Sequence, residues 1–187
     1  MDRRQLLFFI ILFVLVGIIG SVFAQIDQPR DEGWSVEKRA DRTFYFTHGT
    51  IVRQNEFGFI KGDDCESDIL WLTFSFSSDR VKDFEGKEAV VLLQVDGRDF
   101  KVKLPIVSIG TSGASQAMTF TNWRPSKQLM DALKSGRYVK VEISGPRELE
   151  GLLGIKEDQF SLRVFVPTRK EAGQVCKNIT SGIDWLK

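Results

Sequence analysis

An antiparallel β-sandwich or barrel with one or two short helices is the fold the sequence predicts. Three observations predict it. Apolar and polar residues alternate in segment after segment, a two-residue turn of hairpin type joins two such segments, and helical spacing is confined to two short stretches.

The chain opens with Arg3 and Arg4, an apolar run over residues 6–19, a Gly20-Ser21 break and Val22-Phe23-Ala24. That is the order of a secretory signal, with cleavage expected between Ala24 and Gln25. Retained instead, residues 6–24 would serve as an N-terminal anchor across a hydrocarbon core of about 30 Å. Either way the arginines stay cytoplasmic and the remainder faces outward, so the expected location is periplasmic or secreted. The expected organisation is a signal peptide over residues 1–24, a polar tether with Pro29 over 25–33, and a single β-rich domain over 34–187 with no membrane span of its own.

In the domain, Phe44, Phe46 and His48 share one face of a strand, and Leu70, Leu72, Phe74 and Phe76 share a face of the next. Phe100, Val102 and Leu104 alternate with Lys101 and Lys103. Asp96-Gly97 lies between residues 89–95 and 98–104, and both positions favour the positive φ of a tight hairpin. Val139, Val141 and Ile143 alternate with Lys140 and Glu142, and Phe160, Leu162, Val164 and Val166 form a last strand pattern. Leu129, Ala132 and Leu133 make a helical stripe over 126–135 with Gly136 as its stop. Thr168 and Glu171 have capping-box spacing for a second helix over 168–176. Most of the phenylalanines fall on faces expected to point inward.

Charge narrows the function. Arg3, Arg4 and Asp2 fall in the leader, which reduces 26 basic and 25 acidic residues to 24 of each. A neutral chain with interleaved charges lacks the basic stripe of a nucleic-acid binder. Cys65 and Cys176 are the two cysteines, and in an oxidising compartment they are expected to form a structural disulfide. With the single His48 they fall short of the four ligands of a zinc site, and no metal or cofactor is expected. The alternative is calcium on Asp63, Asp64, Glu66 and Asp68, which lack the EF-hand order.

No catalytic residue is assigned. His48 has no evident partners and reads as a core histidine. Residues 110–115, with Ser112 among them, lack the G-x-S-x-G order and read as a flexible loop able to carry a surface contact. Trp71 lies opposite the Leu70 and Leu72 face, and Trp123 and Trp185 fall in loop or tail segments. These three tryptophans and Ser112 are the candidate binding surface. Asn178-Ile179-Thr180 is a glycosylation sequon if the source is eukaryotic.

The order of Trp34, Cys65, the strand over 70–76, the helix around Leu129 and Leu133, Phe160-Ser161-Leu162, Ala172 and Cys176 resembles small bacterial envelope proteins. The chain is similar to type VI secretion accessory proteins of the VasI or TagO kind and, more distantly, to invasion-associated locus B proteins. It departs from the first group in lacking a cysteine pair just after the signal, and from the second in having fewer cysteines. The resemblance implies a periplasmic β-rich domain that contacts a protein partner in the cell envelope. The expected function is therefore an exported, non-enzymatic protein-interaction module. A glycan- or cell-wall-binding module is the alternative, for which a tryptophan should line a shallow groove with polar neighbours. A hydrolase stands third and requires His48 or a pair of acids to converge in a pocket.

Overall fold

A computed structural model describes residues 33–76, 78–112 and 115–183. The expected signal and nearly all of the tether lie outside the described residues, as does Trp185. Among the described residues nine strands form one antiparallel sheet in the order β1-β2-β3-β4-β7-β6-β5-β8-β9, and it is not closed into a barrel. The strands are β1 (Ser35–Arg39), β2 (Arg42–His48), β3 (Glu56–Lys61), β4 (Asp68–Phe76), β5 (Glu88–Val95), β6 (Arg98–Ser112), β7 (Ser115–Trp123), β8 (Tyr138–Ile143) and β9 (Glu157–Ser161). The helices are α1 (Lys127–Ser135), α2 (Arg147–Glu150) and α3 (Phe165–Ile183). A 3-10 turn, Asp79–Phe84, links β4 to β5 and sends Val81 into the core.

β6 lets one sheet make two layers. Its residues Arg98 to Pro105 pair with β5, whereas Ile106 to Ser112 pair with β7. Pro105 sits at the switch, and the register shifts between Ile106 and Ser108. A proline that cannot donate and a local irregularity both bend a strand, so the sheet turns its corner here. The Asp96-Gly97 hairpin forms as expected, with φ of 44° and 83°, and Val95 faces Arg98.

The main core collects the inward side chains of both layers: Tyr45, Phe57, Phe59, Leu70, Leu72, Phe74 and Phe120 from one, and Val91, Leu93, Val141 and Phe160 from the other. α1 adds Leu129, Met130, Ala132 and Leu133, and its first turn is capped where Ser126 Oγ accepts from Leu129 N at 3.2 Å. Phe44 and Phe46 do not join this core. Inward pointing on β2 falls to Thr43, Tyr45 and Thr47, and Phe46 packs with Ile60 and Trp71 in a second cluster on the opposite face. Alternation identifies two faces without saying which is inner, and here both are apolar enough to be buried.

The last strand pattern holds only to Ser161. Val164 takes φ of 62° and α3 begins at Phe165, leaving Val164 and Val166 about half exposed. α3 also starts before the expected capping box. Thr168 lies inside it and donates its hydroxyl back to Val164 O at 2.8 Å, while Ala172 is buried as expected.

The sheet's far edges approach each other without pairing. Thr50 N donates to Gln159 O at 2.9 Å and Trp34 Nε1 to Ser161 O at 2.8 Å. Asp158, wholly buried, accepts from Ile51 N, Val52 N and Asn55 Nδ2 at 2.9 to 3.0 Å. The edge of β9 is thereby occupied by loop backbone and an indole, which blocks strand addition there.

Candidate functional site

The outer face of the first layer carries polar groups in register. His48 on β2 lies opposite Glu56 on β3, Glu56 opposite Thr73 on β4, Thr73 opposite Thr119 on β7, and Thr119 opposite Ser108 on β6. Directly paired residues of an antiparallel sheet point to the same side, so one row crosses five strands at a spacing of about 4.8 Å. On one side of it runs the aromatic row Phe46, Gly58 and Trp71. On the other lies the small-residue row Ser75, Ala117 and Gly110.

Gly58 makes the aromatic row compact, because a Cβ there would collide with Phe46. Trp71 packs edge-on against Phe44 and Phe46 at centroid distances of 5.3 and 5.6 Å. The Arg39 guanidinium lies 4.8 to 5.0 Å from the Phe44, Phe46 and Trp71 rings and is held by Glu37 at 2.8 Å.

A cleft of about 360 Å³ opens between these rows. Thr73, Ala117 and Trp71, each under a tenth exposed, lie deepest. Arg39, Ser108 and Gly110 stand at the more exposed margin, and Glu56 and Thr119 complete the lining. The Glu56 side chain is 14% exposed, with the His48 Nδ1 atom 4.0 Å from its carboxyl and no hydrogen bond to that carboxyl found among the described residues. Burial pushes Glu56 above the ordinary carboxyl range, and the charges of Arg39 and His48 only partly oppose this. The Thr73 hydroxyl and His48 Nδ1 are both out of solvent without a hydrogen-bond partner among the described residues.

The other candidates are placed differently. Cys65 and Cys176 form the disulfide, 111 residues apart in sequence with Cα atoms 5.6 Å apart, and join the loop after β3 to α3. The acidic residues of that loop diverge. Asp64 Oδ1 accepts from Ser67 N, Ser67 Oγ and Glu66 N, which holds its carboxyl at about 2. Glu66 pairs with Lys177 at 2.6 Å. Asp68 turns inward to Tyr45, Lys61 and Arg169 at 2.7 to 2.8 Å. Among the described residues no group of three or more His, Cys, Asp or Glu is placed to hold a metal ion.

Trp123 is half-buried against the main core, and of the two described candidate tryptophans Trp71 lines the cleft. Much of the expected 110–115 loop is strand: Gly110 pairs with Ala117, Thr111 with Gln116 and Ser112 with Ser115. His48 is not a core histidine; its side chain is 41% exposed on the outer face.

Sequence reading missed Arg39, Glu56, Thr73, Thr119 and Ser108. The signal for β3 was present in Phe57 and Phe59, but Gly58 between them weakens the strand pattern. No family model matches the chain, and no curated protein or solved structure is significantly similar to it.

Proposed function

We propose that the chain is an exported, non-enzymatic binding module that takes its ligand in the outer-face cleft. The observation carrying this reading is the mismatch among buried carboxylates. Asp68 and Asp158 are saturated with donors, whereas Glu56, lining an open cleft, has none among the described residues. A desolvated acceptor beside an unpartnered hydroxyl is costly unless a ligand completes it.

Export is supported by the disulfide, which persists in oxidising compartments, and by the leader-like residues 1–24. No described helix is long and apolar enough to cross a membrane. Catalysis is disfavoured by the order of the row. Glu56 lies between His48 and Thr73, so the imidazole does not face the hydroxyl it would have to deprotonate. Glu56 is also the one carboxylate among the described lining residues, whereas glycoside hydrolysis generally uses two.

The reading is tested by placing a photo-crosslinking diazirine on a flexible lysine-analogue side chain, able to fold out of the cleft, at position 110 of the full-length chain, in the cells that produce it. A specific adduct is expected there and not from the same group at Lys101, an exposed position in the other half of β6. No adduct at 110, or equal adducts at both, sinks it.

A protein partner at the β9 margin is the second reading. The exposed large apolar residues Ile51, Tyr138, Ile155, Val164 and Val166 all lie next to β9 in sequence or in pairing. Interaction there predicts adducts from a crosslinker at Tyr138.

A further inference from the structure

We infer that the cleft is a binding site for a neutral carbohydrate, one sugar ring lying against Trp71 and Ala117 while its hydroxyls reach Glu56, Thr73, Thr119 and Ser108. The inference rests on the binding-module reading and specifies its ligand.

Size is the first argument. A cleft of about 360 Å³ falls at the small end of the range of ligand pockets, roughly 300 to 1,000 Å³. A stable protein interface instead covers about 800 Å² on each partner.

The chemistry of the lining is the second. An ionised Glu56 accepts hydrogen bonds and offers none, so the ligand must donate to it. The hydroxyls of Thr73, Thr119 and Ser108 both donate and accept, and they recur at the strand spacing along one line. A ligand carrying several hydroxyl groups on a ring matches such a line, and its apolar C–H face matches the indole and methyl groups beside it.

Charge is the third. Arg39 is already tied to Glu37, so an anionic ligand entering the cleft meets the Glu56 carboxylate without a free cation among the described lining residues to compensate. A neutral ligand escapes that penalty.

The position of Gly110 makes the inference testable without unfolding the protein. Among the described residues nothing lies within 4 Å of a Cβ built on Gly110, so a large side chain can be placed at the cleft margin with no clash at its base. The full-length protein is titrated with cellotetraose, maltotetraose and chitotetraose, each to its solubility limit. Binding is followed by calorimetry and by the backbone amide resonances of residues 108–110 and 117–119. At least one oligosaccharide is expected to bind and shift those amides. Glu56→Gln should weaken that binding about tenfold, as expected for one charge-assisted hydrogen bond, and Gly110→Trp should abolish it.

The inference is overturned if none of the three binds, or if both variants bind as the parent does. The crosslinking experiment separates the two levels of the argument. A protein adduct at position 110 without oligosaccharide binding overturns the sugar and leaves the binding module standing; no adduct and no binding removes both.

Discussion

Asp68 and Glu56 sit on paired neighbouring strands, and each is a carboxylate drawn largely out of water. Asp68 points to the inner side, 4% exposed, and meets Tyr45 Oη, Lys61 Nζ and Arg169 Nε at 2.7 to 2.8 Å. Glu56 points to the outer side, and among the described residues its carboxyl has no closer partner than His48, at 4.0 Å. The contrast teaches how to separate structural from functional polarity in a chain without recognisable motifs. A buried charge with a full set of donors belongs to the fold's own construction. One left short costs free energy in the isolated protein, and that cost persists where a ligand is to be met.

Around Asp68 the construction is dense. Arg169 and Lys177 of α3 reach Asp68 and Glu66, and Cys176 of the same helix is bonded to Cys65. Three residues of one helix therefore hold the loop after β3 and the first residue of β4. The Glu56 side has no comparable closure among the described residues.

The largest effect that would break the contrast is expected from Asp68→Ala. It leaves Lys61, 3% exposed, buried without its counter-charge, which costs about 3–5 kcal/mol. Urea denaturation with the disulfide intact measures it, and a loss below about 1 kcal/mol would place Asp68 with Glu56 after all.

Next in size is the double change Cys65→Ser with Cys176→Ser. Opening a loop closed across 111 residues should cost about 2–4 kcal/mol. Hydrogen exchange sharpens the interpretation. If the ion pairs hold α3 by themselves, amides around Ala172 stay protected in the double variant; if they exchange freely, the disulfide is the principal link.

The smallest effect has the opposite sign. Glu56→Gln removes a charge that burial disfavours, so the variant should be more stable at pH 7, with Tm higher by about 2–4 °C. The sign follows from the raised pKa. Unfolded, this carboxyl titrates near 4.5; folded, it holds its proton to higher pH. Through that window the native state binds more protons than the unfolded one, so the stability of the parent falls as pH rises. The advantage of the variant should therefore be full at neutral pH, shrink on acidification through the raised folded pKa, and be gone below the unfolded value near 4.5. A variant less stable at pH 7 would mean that Glu56 is already satisfied in the free protein.

Much of the fold was legible because its signals are local. Two-residue alternation around Leu72, Val91 and Val141 reflects one side of a pleat facing core, and Asp96-Gly97 encodes its turn in its own backbone preferences. The stripe of Leu129, Ala132 and Leu133 behaved the same way. The α3 boundary was less legible, since Phe160, Leu162, Val164 and Val166 continue a strand pattern past the strand. The strand stops at Ser161, and the chain enters α3 through a positive φ at Val164, a conformation that β-branched residues disfavour and no pattern of apolar residues announces.

The site was legible only in fragments. Trp71 was assigned to the face opposite Leu70 and Leu72, and it lies there. Its neighbours Arg39, Glu56, Thr73, Thr119 and Ser108 come from five strands, and each alone is an ordinary polar residue on a strand's outer side.

By itself, then, the sequence determined the antiparallel β class, the Asp96-Gly97 hairpin, the α1 helix and the two cysteines available for bonding. Each depends on periodicity, a turn preference or composition within one short stretch. Only the tertiary structure decided that Tyr45 rather than Phe46 faces the main core, that β6 serves two layers, and that His48, Glu56, Thr73, Thr119 and Ser108 stand in one row. Those outcomes depend on strand order and register. Both are set by long-range packing and by irregularities such as the one between Ile106 and Ser108, which shift every residue beyond them.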